Sequence, residues 1–551
     1  MNTTLAIYGI KDRFVDENPT YVHDHNLCVM HKGNITQYLH LERYTRRKFD
    51  NRLDLFIETL IDEKLLNLPN EFDIISVDNF VASAFISKNG RLQIQNISTK
   101  ENPDKHRIAK SWFEKEKFNG KELNAKIIPH ELAHIFSCIP FFGKFKENSL
   151  LIHFDGGASV SNFSAFTFKN NKINYLESHW ELAHLSKFFN DNALNFAILN
   201  ARKQEHLSVP GKLMGFASFG TYSKKIENWL NKNNYFKNIW NNYDDFSKKA
   251  KENFNIDLKT FDTTIPFLQD IAATFQHIFT QETIKKLNNL KDKTNTDYLY
   301  YTGGSALNIV TNSKIIQSKL FKNVFIPPCT NDAGLSIGAA AYNEWKKDNN
   351  ITNSSPYLNN IGLDFCNKLH DSNLIKKVAK LLLNKKVIGI ANGAAEIGPR
   401  ALGNRSIIAL ANNKKLANKV STFHKKREWY RPIAPVMLKN IADMVTNKNV
   451  HHLSKYMLLD YKILPKYETH LEGVTHINKT ARIQTISERN ENPFIYDLLS
   501  YLYNKHNVYA LINTSFNIKG EPIVHTKKDA LKSAKKMNLD AVIIDFKLIN
   551  I

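Results

Sequence analysis

The sequence has little cysteine. Its four, Cys28, Cys138, Cys329 and Cys366, lie far apart and form no C-x-x-C pair, which excludes a zinc finger or dithiol redox site and leaves His and carboxylate for any metal. Long apolar runs are also missing, since none approaches the ~20 residues of a membrane helix. Met1–Ile10 lacks the basic start, apolar core and small-residue cleavage site of a secretory leader. These absences place the chain in the cytosol with no membrane. Arginine is scarce too: fourteen stand beside 61 lysines, with none between Arg202 and Arg400.

What is present describes a soluble globular protein. The 551 residues are 42% hydrophobic and 23% charged with mean hydropathy −0.38, enough chain for roughly two or three domains with large cores. The formal charge of +22 suits anionic ligands such as nucleotides, acyl phosphates or nucleic acid, although solvated lysine faces carry such charge without a partner. The arginines are more selective, gathering at Arg43, Arg46 and Arg47 and again from Arg400 to Arg489. Where lysine supplies the general charge, a retained planar fork marks bidentate recognition, so the carboxy-terminal third is the expected anion-binding region.

The order of apolar runs and turns repeats. A strand at 4–10, a polar loop His23-Asp24-His25-Asn26, and a hairpin turning at Lys32-Gly33-Asn34 are echoed by a strand at 149–154, the loop Asp155-Gly156-Gly157, and a hairpin turning at 169–172. A duplicated α/β unit with two loops facing across a cleft is expected. Helical periodicity fills 180–290, and the strand at 298–301 runs into Thr302-Gly303-Gly304-Ser305, a turn that brings main-chain N–H groups beside a ligand. The small residues of 331–340 let a helix pack closely. The polar stretch 346–360 reads as a linker between domains 1–350 and 361–551, and a helix capped by Asp371 or Ser372 leads to a strand at 387–391.

His130-Glu131-Leu132-Ala133-His134 places two imidazoles four apart on one helix face, able to chelate one divalent ion. Read literally it is the zinc-protease pattern with Glu131 as base. That reading needs a third ligand, and the nearby Asp155 follows a buried strand in a glycine loop better suited to phosphate or metal, so protease chemistry is set aside.

The ordered set His23-Asp24-His25-Asn26, Glu42 to Lys48, His130-x-x-x-His134, Gly211-Lys212-Leu213-Met214-Gly215, Gly303 to Asn308, Asn331-Asp332-Ala333-Gly334, Gly398 to Ser406, Arg427 to Pro432, Thr480 to Thr485 and Asn513 to Asn517 resembles the nodulation-factor, cephamycin and tobramycin-type O-carbamoyltransferases over nearly the whole chain. The resemblance implies a duplicated actin-like (ASKHA) ATPase-superfold domain, similar to tRNA threonylcarbamoyl transferases, followed by a YrdC-like α/β domain. It implies ATP and carbamoyl phosphate as substrates, a carbamoyl-adenylate intermediate, and transfer to an acceptor hydroxyl. Arg400, Arg405, Arg427, Arg431, Arg482, Asn513, Ser515, Asn517 and Lys519 would hold carbamoyl phosphate and nucleotide. Gly303, Gly304 and Asn308 would lie by the adenosine. His130, His134, Asp332 and Asp155 would hold a divalent metal, Fe(II) first with Mn or Zn as alternatives, and Mg would accompany the nucleotide. His23 and Lys48 match positions near the transfer site, with His23 the candidate general base because imidazole titrates near neutrality.

The loops depart from the usual pattern at His25-Asn26 and at Asp155-Gly156-Gly157-Ala158-Ser159, and Lys519 stands where many relatives carry arginine. The departures bear on the acceptor: a small natural product or sugar, or a hydroxymethylated pyrimidine in DNA. A threonylcarbamoyl-type tRNA modification enzyme is the alternative, a nucleotide-binding regulator the non-enzymatic one, and a homodimer an option. Hydrogenase-maturation relatives add zinc-finger cysteines that this chain lacks.

Overall fold

A computed structural model describes residues 2–10, 22–79, 84–95, 106–113, 122–180, 193–201, 203–233, 243–365 and 370–551; Cys366 falls outside them. Two sheets of the first half follow one plan. In the first, Thr3–Tyr8 pairs antiparallel with Asn26–His31, which returns as Asn34–His40; on its other side Asp73–Val77 and then Glu122–Ile128 run parallel. In the second, Ser149–Phe154 pairs antiparallel with Phe163–Lys169, which returns as Lys172–His179, and Tyr298–Thr302 and Asn323–Phe325 follow in parallel. Strand order and sense coincide, as a duplicated unit requires. Both hairpins turn through two residues with positive φ, Lys32-Gly33 at 48° and 76° and Asn170-Asn171 at 54° and 56°, the backbone that matches the twist of the flanking strands.

Alternation along the strands sorts the core into layers. Leu5 and Ile7 face a cluster with Leu53, Ile57 and Leu60, whereas Ala6 and Tyr8 face one with Leu132, Ile135 and Phe136 of the helix His130–Phe136. Leu151 of the second sheet joins that same middle layer, while Leu150, Ile152 and Phe154 turn outward to the long helix Pro266–Thr294. The middle layer is thin because the helix Leu335–Trp345 is built from small residues. A Cβ on Gly338 would lie 1.7 Å from the Ala133 carbonyl oxygen, so only glycine admits this approach.

The second half is a mixed sheet whose described strands run in the order Gln484–Ile486, Ala434–Leu438, Leu511–Ser515, Arg405–Leu410, Ile388–Ala391, Ala541–Ile544, Lys547–Asn550. The helix Ser372–Leu383 is capped by Asp371, whose carboxylate accepts from the Leu374 N–H at 2.6 Å. The polar stretch 346–360 is more than a tether: its Tyr357–Asn359 forms a strand parallel to Asn34–His40 and antiparallel to Ala395–Glu396. Leu402, Tyr430 and Ala434 sit in the first half's outer cluster. Arginines clamp the same junction. Arg43 donates to the Gly398 carbonyl at 3.0 Å, and Arg46 donates to Pro522 and Ile523 carbonyls at 2.7 and 2.6 Å. Among the described residues no helix is long and apolar enough to cross a membrane.

Candidate active site

The middle layer brings together an imidazole–carboxylate cluster. His130 and His134 lie one turn apart on their short helix with Nε2 atoms 3.0 Å from one another. Asp332, at the start of the turn leading into Leu335–Trp345, places Oδ1 3.5 Å from His130 Nε2 and 3.4 Å from His134 Nε2. Asp155, at the end of its strand, places Oδ2 3.3 Å from His134 Nε2. Two imidazole nitrogens this close need a proton or a cation between them. Ligands about 2.0–2.2 Å from one ion stand about 3 Å apart when adjacent, so the four residues expected to hold a divalent metal fit one. Without it, His134 is raised to about 9: burial opposes the charge, and Asp155 and Asp332 outweigh burial. Asp332 is held well below the carboxylate range, since the neighbouring histidines outweigh its burial.

Other residues orient this group. Tyr8 Oη donates to Asp332 Oδ2 at 3.0 Å, and Asn26 Nδ2 donates to the Asp332 carbonyl at 2.9 Å. Glu131 points away, its Oε1 accepting from the Val160 and Ser161 N–H groups at 2.9 and 3.1 Å, so it builds the loop after Asp155 and is no water-activating base. His153, unremarked in the sequence because it reads as part of an apolar strand, stacks on His134 with ring centroids 5.1 Å apart.

Asp24, at φ 57°, is shared by two histidines, His23 at 3.1 Å and His40 at 3.0 Å. Burial raises its pKa, but these contacts overcome it and keep the carboxylate ionised. His23 is raised to about 9, because Asp332 and Asp24 overcome the effect of burial. It therefore carries a proton at neutral pH and can act as a base only after a cation neutralising Asp332 lowers its pKa and that proton leaves.

A second cluster lies in the other half, and it is cationic. Glu396 shapes its loop: Oε1 accepts from the N–H groups of Leu402, Asn404 and Arg405 at 2.7, 2.7 and 3.0 Å. The turns at Gly398 and Gly403, φ 74° and 130°, complete a loop that presents Arg400. Arg427 is lowered to about 9 by burial and then by Arg431, and Arg400 to about 10 by burial and then by Arg431. Burial, Arg400, Arg427 and Arg431 also hold Arg482 well below its ordinary value. The buried Nε atoms of Arg400 and Arg482 have no protein partner.

Lys425, absent from the expected set, stands at the centre of this group. It is 1% exposed, donates to the Ser515 carbonyl and, at 2.7 Å, to the Asn517 carbonyl. Burial, Arg427, Arg431 and Lys48 all lower its pKa. Ser515 Oγ accepts from Arg427 Nη2 at 3.3 Å and donates to Asn517 Oδ1 at 2.7 Å. Asn513 donates to Gln484 Oε1 at 2.5 Å. Lys519 pairs with Glu428 at 2.9 Å, and Lys212 of the first half meets the same Glu428 oxygen at 3.1 Å.

Two expected ligand residues do not face open space. All five N–H groups of Arg405 go to carbonyls, those of His525, Asn392, Asn404 and Gly393, at 2.8–3.1 Å, so its fork ties the fold together. Asn308 caps the helix Ile309–Gln317 and exchanges hydrogen bonds with Gln276 in a buried network. Gly303 is required by its neighbour, since a Cβ there would lie 2.2 Å from the Phe154 carbonyl oxygen. The Gly304 N–H donates to Asp155 Oδ2 at 2.7 Å, so the glycine turn supports the imidazole–carboxylate cluster directly. Lys48 feels charges of both groups: burial, Arg431 and Arg427 lower its pKa while Glu42 and Asp24 raise it.

Residues 17–341 match the carbamoyltransferase N-terminus and residues 379–550 the carbamoyltransferase C-terminus. The chain therefore belongs to the carbamoyltransferase family and is an enzyme of carbamoyl transfer. It is 28% identical over 445 residues to the uncharacterized protein MJ1051 of Methanocaldococcus jannaschii, spanning 76% of this chain and 82% of that one. Nodulation protein NolNO of Sinorhizobium fredii is 24% identical over 98% of this chain and 81% of its own length. Nodulation protein NolO of Bradyrhizobium diazoefficiens is 29% identical over 51% of this chain and 55% of its own length, so the match spans about half of that relative. The solved structure of full-length HypF in the phosphate- and nucleotide-bound form aligns over 64% of this chain at 13% identity, with a TM-score of 0.32 that is too low to assign a fold.

Proposed function

We propose that the chain is an ATP-dependent O-carbamoyltransferase. In this reading the second half, YrdC-like, makes carbamoyl-adenylate, and the first half, actin-like in plan, passes the carbamoyl group to an acceptor hydroxyl. The carrying observation is the pair of clusters: a buried group of cations with unpartnered donors in one half, and a group of imidazoles and carboxylates in the other. Cations that depress one another's pKa are relieved by a multiply charged anion.

Water cleaves the C–O bond between carbamoyl carbon and phosphate in carbamoyl phosphate to give carbamate and inorganic phosphate, and the carbamate oxygen attacks the α-phosphorus of ATP, displacing pyrophosphate. Arg400, Arg427, Arg431 and Arg482 bind the phosphates and stabilise charge on the leaving groups. Lys425 holds the chain of Ser515 and Asn517 in register with them.

Transfer needs the acceptor oxygen to attack the carbamoyl carbon, with AMP leaving. His23, which gives up its own proton to solvent once Asp332 is neutralised, then takes the acceptor proton. Lys48, within the fields of Asp24 and of Arg427 and Arg431, favours anions nearby. A divalent metal on His130, His134, Asp332 and Asp155 would supply Lewis-acid stabilisation of the adenylate phosphate.

The test is pyrophosphate release from ATP and carbamoyl phosphate, followed by mass spectrometry of hydroxylated small molecules and hydroxymethylated DNA for carbamoyl gain. Arg431→Ala should abolish release, whereas His130→Ala should spare it and block transfer; equal loss of both steps in both variants overturns the division of labour. Activity with threonine and bicarbonate instead of carbamoyl phosphate would favour the threonylcarbamoyl alternative. A DNA acceptor predicts binding that weakens steeply with salt.

A further inference from the structure

We propose that His153 is an additional ligand of the metal cluster, making it a three-imidazole site. The inference rests on the reading that the cluster holds a divalent ion, and it concerns which residues hold it. His153 sits on the strand Ser149–Phe154, where Leu150, Ile152 and Phe154 face the outer helix and Leu151 faces the middle layer. Period two puts His153 on the Leu151 side, toward the helix that carries His130 and His134. Its ring centroid is 5.1 Å from that of His134 and 6.0 Å from that of His130.

The ring has no other employment. His153 is 0% exposed, and neither ring nitrogen has a hydrogen-bond partner. Cross-strand neighbours offer hydroxyls, but these are engaged elsewhere: Thr302 Oγ1 donates to the Ile152 carbonyl at 2.9 Å, and Ser164 Oγ bonds Ser161 and Ser178 at 2.6 and 2.8 Å. An imidazole stranded in this way is costly to bury. One His153 nitrogen lies within 4.8 Å of ligand atoms of His130, His134 and Asp155. Ligands on opposite sides of an ion at about 2.1 Å are about 4.2 Å apart, so a small ring movement closes the set. Three imidazoles with carboxylate favour ions such as Zn(II), Fe(II) or Co(II) over Mg(II).

The experiment strips the full chain of metal by chelation and titrates it with Co(II) alone, reading the visible ligand-field spectrum and the Kd. Wild type should bind one Co(II). His153→Phe should bind about 10–100-fold more weakly, with a shifted spectrum, while its metal-free thermal unfolding stays near wild type. Wild-type affinity and spectrum in the variant would overturn the proposal. X-ray absorption of zinc-loaded wild type counts imidazoles without any substitution: three support the proposal, and two refute it even if the variant fails to fold. Failure of wild type to bind Co(II) or Zn(II) would instead defeat the metal reading, together with this inference.

Discussion

Removing one charge from the cation cluster should stabilise the ligand-free protein while impairing anion binding. Arg427 is lowered from its ordinary 12.5 to about 9, and each pKa unit is worth about 1.4 kcal/mol. At neutral pH the side chain is protonated whether the chain is folded or unfolded, so the folded state bears up to about 5 kcal/mol of unfavourable charge burial. Part of that is shared with Arg431 and Arg400, and the contact with Ser515 is worth about 1 kcal/mol, so Arg427→Gln should return about 2 kcal/mol. An unfolding entropy of about 2 cal/mol/K per residue gives about 1 kcal/mol/K for a chain of this length. The melting temperature should then rise by about 2 °C without ligand. Phosphate at a hundredfold excess over its Kd contributes about 2.7 kcal/mol, a shift of about 2–3 °C in wild type that Arg427→Gln should lose. Scanning calorimetry with and without phosphate reads both effects, and Arg405→Lys is the control: it should lower the melting temperature through lost carbonyl contacts and keep the phosphate shift. An Arg427→Gln protein that melts lower than wild type yet keeps the full phosphate shift would show that this arginine is part of the scaffold.

Gly338→Ala should cost about 3 kcal/mol or more, because the added carbon meets the Ala133 carbonyl oxygen at 1.7 Å; unfolding and Co(II) titration should show lower stability and weaker metal binding together, since the helix that must yield carries His130 and His134. Glu428 is held at about 2 because Lys519, Lys212 and Arg431 outweigh its burial. Its stabilisation, about 3 kcal/mol, is present above its ordinary pKa of 4.5 and lost as pH falls toward 2. Urea unfolding of wild type and Glu428→Gln should therefore differ by about that amount at pH 7, by roughly half of it at pH 3, and converge only near pH 2 and below; an equal gap at pH 7 and pH 2 would assign the effect to packing.

The duplicated plan was legible because it is local: turns at Lys32-Gly33 and Asn170-Asn171 need positive φ, and strand alternation then sorts the side chains. The paired histidines were legible for the same reason, since a four-residue spacing fixes a helix face. The arginines show where such reading stops. A planar fork suits a pair of carbonyls as well as a phosphate, so Arg46 and Arg405, which hold backbone carbonyls across the junction and within the second half, look like Arg400 and Arg482, whose Nε atoms have no protein partner. What separates them is whether their donors are already satisfied, and that depends on which distant strand arrives beside them. Lys425 escaped for the converse reason: where lysine is the general source of charge its identity says little, and its one signal was its place two residues before Arg427. His153 was hidden by the alternation itself, since a single imidazole in an apolar strand is conspicuous only after the opposite helix has brought two more to meet it.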